Sequence, residues 1–197
     1  MGMRIVVALV GMLVGAVASA EIVVERFEGS SMKTPLSNTI AVNDKSTLNQ
    51  QWVVINDSAM PLQIMGKTGV SAVYESGRSA YSGDYRFTAA TDLQGSEPIV
   101  AYQLRFLVFD VFGNSMQTLS LTEVEDRDGG VAFRGTAKWR ATENQVEELY
   151  ASVAFVSAVR TNAGKVYTAN YEAVLAEARK VGSKITMAEI EPERPKE

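Results

Sequence analysis

The residues in this chain that could do chemistry are few, and Asp110 is the most conspicuous. It ends an apolar run, AYQLRFLVF at residues 101–109, and is followed by Val111-Phe112-Gly113-Asn114. A carboxylate beside buried apolar surface could act as a general acid or base, but that role needs a positioned partner, which the local sequence does not supply. The same carboxylate could instead accept hydrogen bonds from the N–H groups of the turn it starts, the usual reason for Asp at such a position. Alternation along an extended strand places Asp110 with Tyr102, Leu104, Phe106 and Val108, and gives Gln103, Arg105, Leu107 and Phe109 the other face. The turn-capping role is therefore expected, with Asp110→Asn lowering stability.

The other acidic candidates are Glu123-Val124-Glu125-Asp126-Arg127-Asp128 and the pair Glu147-Glu148. The first runs into Gly129-Gly130 and holds a DxDG fragment like the start of a calcium loop, but no Glu follows at the spacing an EF-hand needs. A solvated hairpin turn between two strands explains it better. Glu147 and Glu148, read on a strand, point to opposite faces and cannot flank one glycosidic bond. Trp52 and Trp139 could stack on a sugar or fill a core. Asn56-Asp57-Ser58 matches a glycosylation acceptor, relevant only in a eukaryotic source.

Two absences remove more chemistry than these motifs add. The chain has no Cys and no His, which excludes a thiol nucleophile, a Ser-His-Asp triad and the zinc sites built on imidazole or thiolate. No GxxxxGK[ST] phosphate loop is present. No cofactor is expected, and the chain is read as non-catalytic. Carboxylate chemistry remains as the alternative, in a hydrolase or a calcium-dependent carbohydrate binder using residues 123–128.

The elements that must position any site read mainly as strands. Candidates are Glu21–Glu28, Gln51–Ile55, Leu62–Met65, Val70–Tyr74, Tyr85–Ala89, Ile99–Asp110, Thr118–Val124, Val131–Arg140, Leu149–Val159 and Lys165–Ala169. The clearest is Val131–Arg140: Val131, Phe133, Ala137 and Trp139 alternate with Arg134, Thr136, Lys138 and Arg140, the period of two that a half-buried strand requires. Residues 29–49 are rich in Ser, Thr, Asn and Pro and read as a surface connection. One helix is expected, over Tyr171–Val181, with Asn170 as N-cap and Gly182 as a C-terminal glycine. The end, 183–197, reads as a flexible tail. Strands without alternating helices argue for an antiparallel β-sandwich.

At the N-terminus Arg4 precedes the apolar run Ile5–Val17, and Ala18-Ser19-Ala20 offers the small residues of a signal-peptidase site. That run is shorter than the roughly 20 residues of a membrane span. Cleavage after Ala20 and an exported, periplasmic or extracellular protein are expected. The 19 basic residues include Arg4, so the mature chain keeps 18 against 23 acidic ones, a net charge of −5. That balance disfavours a nucleic-acid partner. Residues 21–182 are long enough for one domain with a substantial core.

Phe106-Leu107-Val108-Phe109-Asp110 with Gly113 resembles the F-x-L-Y-D pattern of the FxLYD-type domains, small immunoglobulin-like sandwiches found largely in bacterial envelope proteins. VVINDS at Val53–Ser58 is similar to the Asn-polar-Ser turn that ends a preceding strand in that family. The resemblance spans roughly residues 50–140 and implies an immunoglobulin-like fold and a non-catalytic, protein-binding or structural role in the envelope. Val108 and Phe109 stand where Leu and Tyr are usual.

A partner surface is expected near the same strand, for another envelope protein or a second copy. Leu107 and Phe109 lie away from the core row and Phe112 follows in the turn, so the three form an apolar patch unless the 171–181 helix covers them through Val174, Leu175 and Ala178. Arg134, Lys138 and Arg140 make a basic row, also a candidate for the partner surface but read as a solvated face that discourages strand pairing.

Overall fold

The computed structural model of the chain describes residues 21–31, 49–76 and 83–191. The expected signal peptide at 1–20, most of the 29–49 connection and positions 192–197 of the expected tail lie outside the described residues. The strands are β1 (Ile22–Ser31), β2 (Asn49–Asp57), β3 (Leu62–Met65), β4 (Val70–Ser76), β5 (Gly83–Gly95), β6 (Ile99–Phe109), β7 (Ser115–Arg127), β8 (Ala132–Arg140), β9 (Ala151–Thr161) and β10 (Val166–Thr168). The helices are α1 (Glu143–Glu148), α2 (Tyr171–Ala178) and α3 (Met187–Ile190). The protein is mainly β.

The first sheet runs β1-β2-β9-β6-β7, with β10 continuing beside β9. In the second, β5 is central, with β8 along one edge and β3 and β4 in tandem along the other. One hydrophobic cluster joins the two sheets: Val54, Leu104, Phe106 and Val108 from the first meet Ile64, Val70, Phe87 and Leu93 from the second. Leu107, Phe109, Val153 and Phe155 project from the opposite face of the first sheet into another cluster, with Val174, Leu175, Ala178, Ile185 and Ile190. β6 and β9 are thus covered on both faces, and for that reason read as continuous apolar runs.

Several expectations are corrected. The pairing is not wholly antiparallel, because β2 and β9 run parallel, Val53 opposite Val153. β7 and β8 do not form a hairpin: β8 pairs with β5, so the chain crosses between sheets at Asp128-Gly129-Gly130. Residues 143–148 are helical, closed by a capping box in which the Gln145 N–H donates to Thr142 Oγ1 at 3.3 Å and the Thr142 N–H donates to Gln145 Oε1 at 2.9 Å. Tyr85 Oη donates to Glu143 at 2.8 Å, tying α1 to β5; that bond, with burial and the Glu143 charge, pushes the phenol up to about 12.

The C-terminal region also departs from expectation. α2 ends at Ala178, and the first part of the expected flexible tail is folded: Ile185 and Ile190 are buried, α3 packs on the sheet, and Thr118 Oγ1 donates to the Glu189 carbonyl at 2.9 Å. The apolar residues Ile185, Met187 and Ile190 complete the cover over Leu107 and Phe109. Gly182 is needed for close approach and has no positive φ, since a Cβ there would overlap the Phe109 ring.

Candidate binding site

Asp110 starts the β6–β7 turn and spends its carboxylate on it. Oδ1 accepts from the N–H groups of Phe112 and Asn114, each at 2.8 Å, and Oδ2 accepts from Asn114 Nδ2 at 2.8 Å. Burial raises its pKa, but the Asn114 and Phe112 hydrogen bonds and the Lys184 charge outweigh that and hold the carboxyl below its ordinary value. A depressed folded-state pKa means that the stabilisation is present above the unfolded value, 3.8, and is lost as pH falls through the folded one. Asp110→Asn is expected to destabilise by about 1 kcal/mol at pH 7. The difference from the parent should shrink as melting is followed from pH 5 down to pH 2.5; a constant difference would show that ionisation plays no part.

The remaining carboxylates do not assemble into a reacting pair. Residues 123–127 continue β7 and do not form the expected turn. Glu123 accepts from Tyr102 Oη at 2.5 Å and Glu125 pairs with Arg127 at 2.5 Å. Burial, then the Glu123 bond, raise the Tyr102 phenol. Glu147 and Glu148 stand exposed on α1, not on a strand. Among the described residues no group of three or more acidic side chains could hold a metal ion. Asn56 is committed to β3, its amide donating to the Ile64 carbonyl and accepting from the Ile64 N–H, both at 2.9 Å.

The expected partner surface divides. Leu107 and Phe109 are fully buried beneath α2, so the apolar patch is closed; helix α2 offers Val174, Leu175 and Ala178 to it, as its spacing requires. Phe112 stays 85% exposed at the turn, apart from them. Arg134, Lys138 and Arg140 are exposed along β8 on the outer face of the second sheet.

That face carries a groove of about 660 Å³, lined by Arg134, Lys138, Lys67, Trp52 and the hydroxyl residues Ser71, Thr88 and Thr136. Register explains the convergence: Ser71 lies opposite Thr88, which lies opposite Lys138, one row across three strands. Thr136 lies opposite Ala90, whose small side chain leaves the middle of the groove open. Arg140 lies opposite Arg86 beyond the groove, and Arg86 is paired with Asp84 at 2.9 Å. At the other end Trp52 comes from β2, with Lys67 Nζ 5.1 Å from the centre of its indole ring. The indole Nε1 is buried and has no hydrogen-bond partner among the described residues.

Among the described residues Lys67, Arg134 and Lys138 are the charged side chains that line this groove; Asp92 lies outside it, 3.7 Å from Arg134 in an exposed pair worth little. The basic row of the sequence is thus one wall of a concave site, completed by residues no local pattern marked. Trp139 instead serves the core, edge-on to Phe106 at 5.6 Å, with Nε1 donating to the Ser120 carbonyl at 3.0 Å. Searches of protein-family models, curated proteins and solved structures find no match to this chain.

Proposed function

We propose that this chain is a non-catalytic exported module, an immunoglobulin-like sandwich of the FxLYD type in a bacterial envelope, that binds an acidic segment of another protein in the groove of its second sheet. The reading rests chiefly on one observation: Lys67, Arg134 and Lys138 converge on one concave face of the described residues, in a protein whose overall charge is negative. Such a face focuses field toward an anionic partner and rejects most of the protein's own surface. Ser71, Thr88 and Thr136 add hydrogen-bonding groups, and Trp52 gives an apolar end. Two sheets sharing one core support the sandwich, and the charged, apolar and small-residue segments of positions 1–20 support export.

The test is calorimetric titration with a glutamate-rich peptide of about ten residues, comparing the parent with a Lys67→Glu, Arg134→Glu, Lys138→Glu variant. Each charged side chain is exposed, so the variant should fold with little change in melting temperature. Peptide affinity should fall at least about tenfold, the equivalent of about 1.4 kcal/mol. Parent affinity should also fall with added salt, which shortens the range over which the charges attract. Equal binding by parent and variant would overturn the proposal.

A further inference from the structure

Arg105 occupies the middle of β6 on the helix-bearing face of the first sheet, far from the uses described above, and is 9% exposed. Its Nε is sealed from solvent and has no hydrogen-bond partner. No ion pair or hydrogen bond to it exists within the described residues, so the Nη end of the guanidinium is where its residual exposure lies. Burial pulls this guanidinium below its ordinary value, and among the described residues no carboxylate counters the effect. A buried cation without a counter-charge is costly, and chains ordinarily retain one only where something pairs with it.

The surroundings are polar on the sides that could receive a ligand. Ser120 of edge strand β7 lies directly opposite Arg105 in the register and is exposed. Two residues further along, Gln103 Nε2 donates to Thr122 Oγ1 at 3.1 Å. Tyr171 opens α2, with its hydroxyl 3.1 Å from the Ser157 hydroxyl and donating to the Ser157 carbonyl at 3.1 Å. α3 covers the neighbouring Thr118 but not Ser120.

We propose that Arg105, with Ser120 beside it, is the anchor of an oxyanion-binding site that takes a carboxylate or a phosphate group. The planar guanidinium fork matches the two-oxygen edge that both anions present. The site lies on the first sheet and is independent of the groove on the second.

The experiment is calorimetric titration of the parent with inorganic phosphate and, separately, with acetate, at constant ionic strength, with melting temperature followed in parallel. A saturable one-to-one heat with either anion, accompanied by a rise in melting temperature, is expected. Arg105→Met should bind neither, and in anion-free buffer should melt at or above the parent temperature, because an unpaired buried charge has been replaced by an apolar chain of similar length. Arg105→Lys, which keeps the charge but not the fork, should bind at least tenfold more weakly. The triple groove variant should bind as the parent does, which separates this site from the groove. No binding by the parent, or undiminished binding by Arg105→Met and Arg105→Lys, overturns the proposal; should a substituted chain fail to fold, the parent and groove-variant titrations decide.

Discussion

Phe109→Ala is expected to remove about 3–5 kcal/mol of stability, which against a total of about 5–15 kcal/mol leaves a barely folded protein. Phe109 is wholly buried, and its ring fills the space between α2 and Gly182. Removing the ring leaves a cavity walled on one side by β6 and β9, which are hydrogen-bonded into the sheet and have little freedom to collapse. Leu107→Ser with Phe109→Ser should be worse, since it also buries two hydroxyls. Thermal melting by circular dichroism should fall by about 10 °C for Phe109→Ala. Light scattering at a temperature where the variant remains folded should show unchanged association. An unchanged melting temperature with altered association would mean that Phe109 serves an interface and that α2 does not cover it.

The same residues show what was legible in the sequence. Strand existence was readable wherever burial is one-sided, as in β8, whose outer row of Arg134, Thr136, Lys138 and Arg140 alternates with Phe133, Ala137 and Trp139. In β6 the two faces could be separated by parity, but what covered the second face could not, because that depends on α2 and α3, some 65–80 positions later. The α1 capping box, Thr142-Glu-Asn-Gln145, is a local signal that was present and overlooked; Val146 and Leu149 blended with the apolar run of β9 and made the helix look like its start. The Asp128-Gly129-Gly130 turn was marked, but whether a turn makes a hairpin or a crossover depends on which strand is next paired, and β8 pairs with β5 some 45 residues earlier. The groove was half legible: the basic row is local, whereas Lys67, Ser71 and Trp52 arrive through long-range pairing. Arg105 was readable as a cation on the face of β6 opposite the core row, but its burial there without a partner among the described residues is a tertiary fact.

Trp52→Ala is expected to destabilise by about 3 kcal/mol, and its coupling to Gly69 will show whether the groove has a fixed end. A Cβ at Gly69 would overlap the indole ring at Cγ and its neighbours, so backbone and ring are in contact with no room between them. Gly69→Ala in the parent must therefore move the ring or the chain, at about 1–3 kcal/mol. In a Trp52→Ala background the obstruction is gone and the same substitution should be nearly neutral, giving a coupling of about 1–3 kcal/mol in the double-mutant cycle. Lys67 is held near the ring by a cation–π contact worth about 0.5–1 kcal/mol, so a displaced indole should loosen Lys67 as well. Gly69→Ala should then bind the glutamate-rich peptide more weakly than the parent although it changes no charge. Additivity of the two substitutions to within about 0.5 kcal/mol, with unchanged peptide affinity, would mean that Trp52 does not pack on Gly69 and that the groove is shaped by the sheet alone.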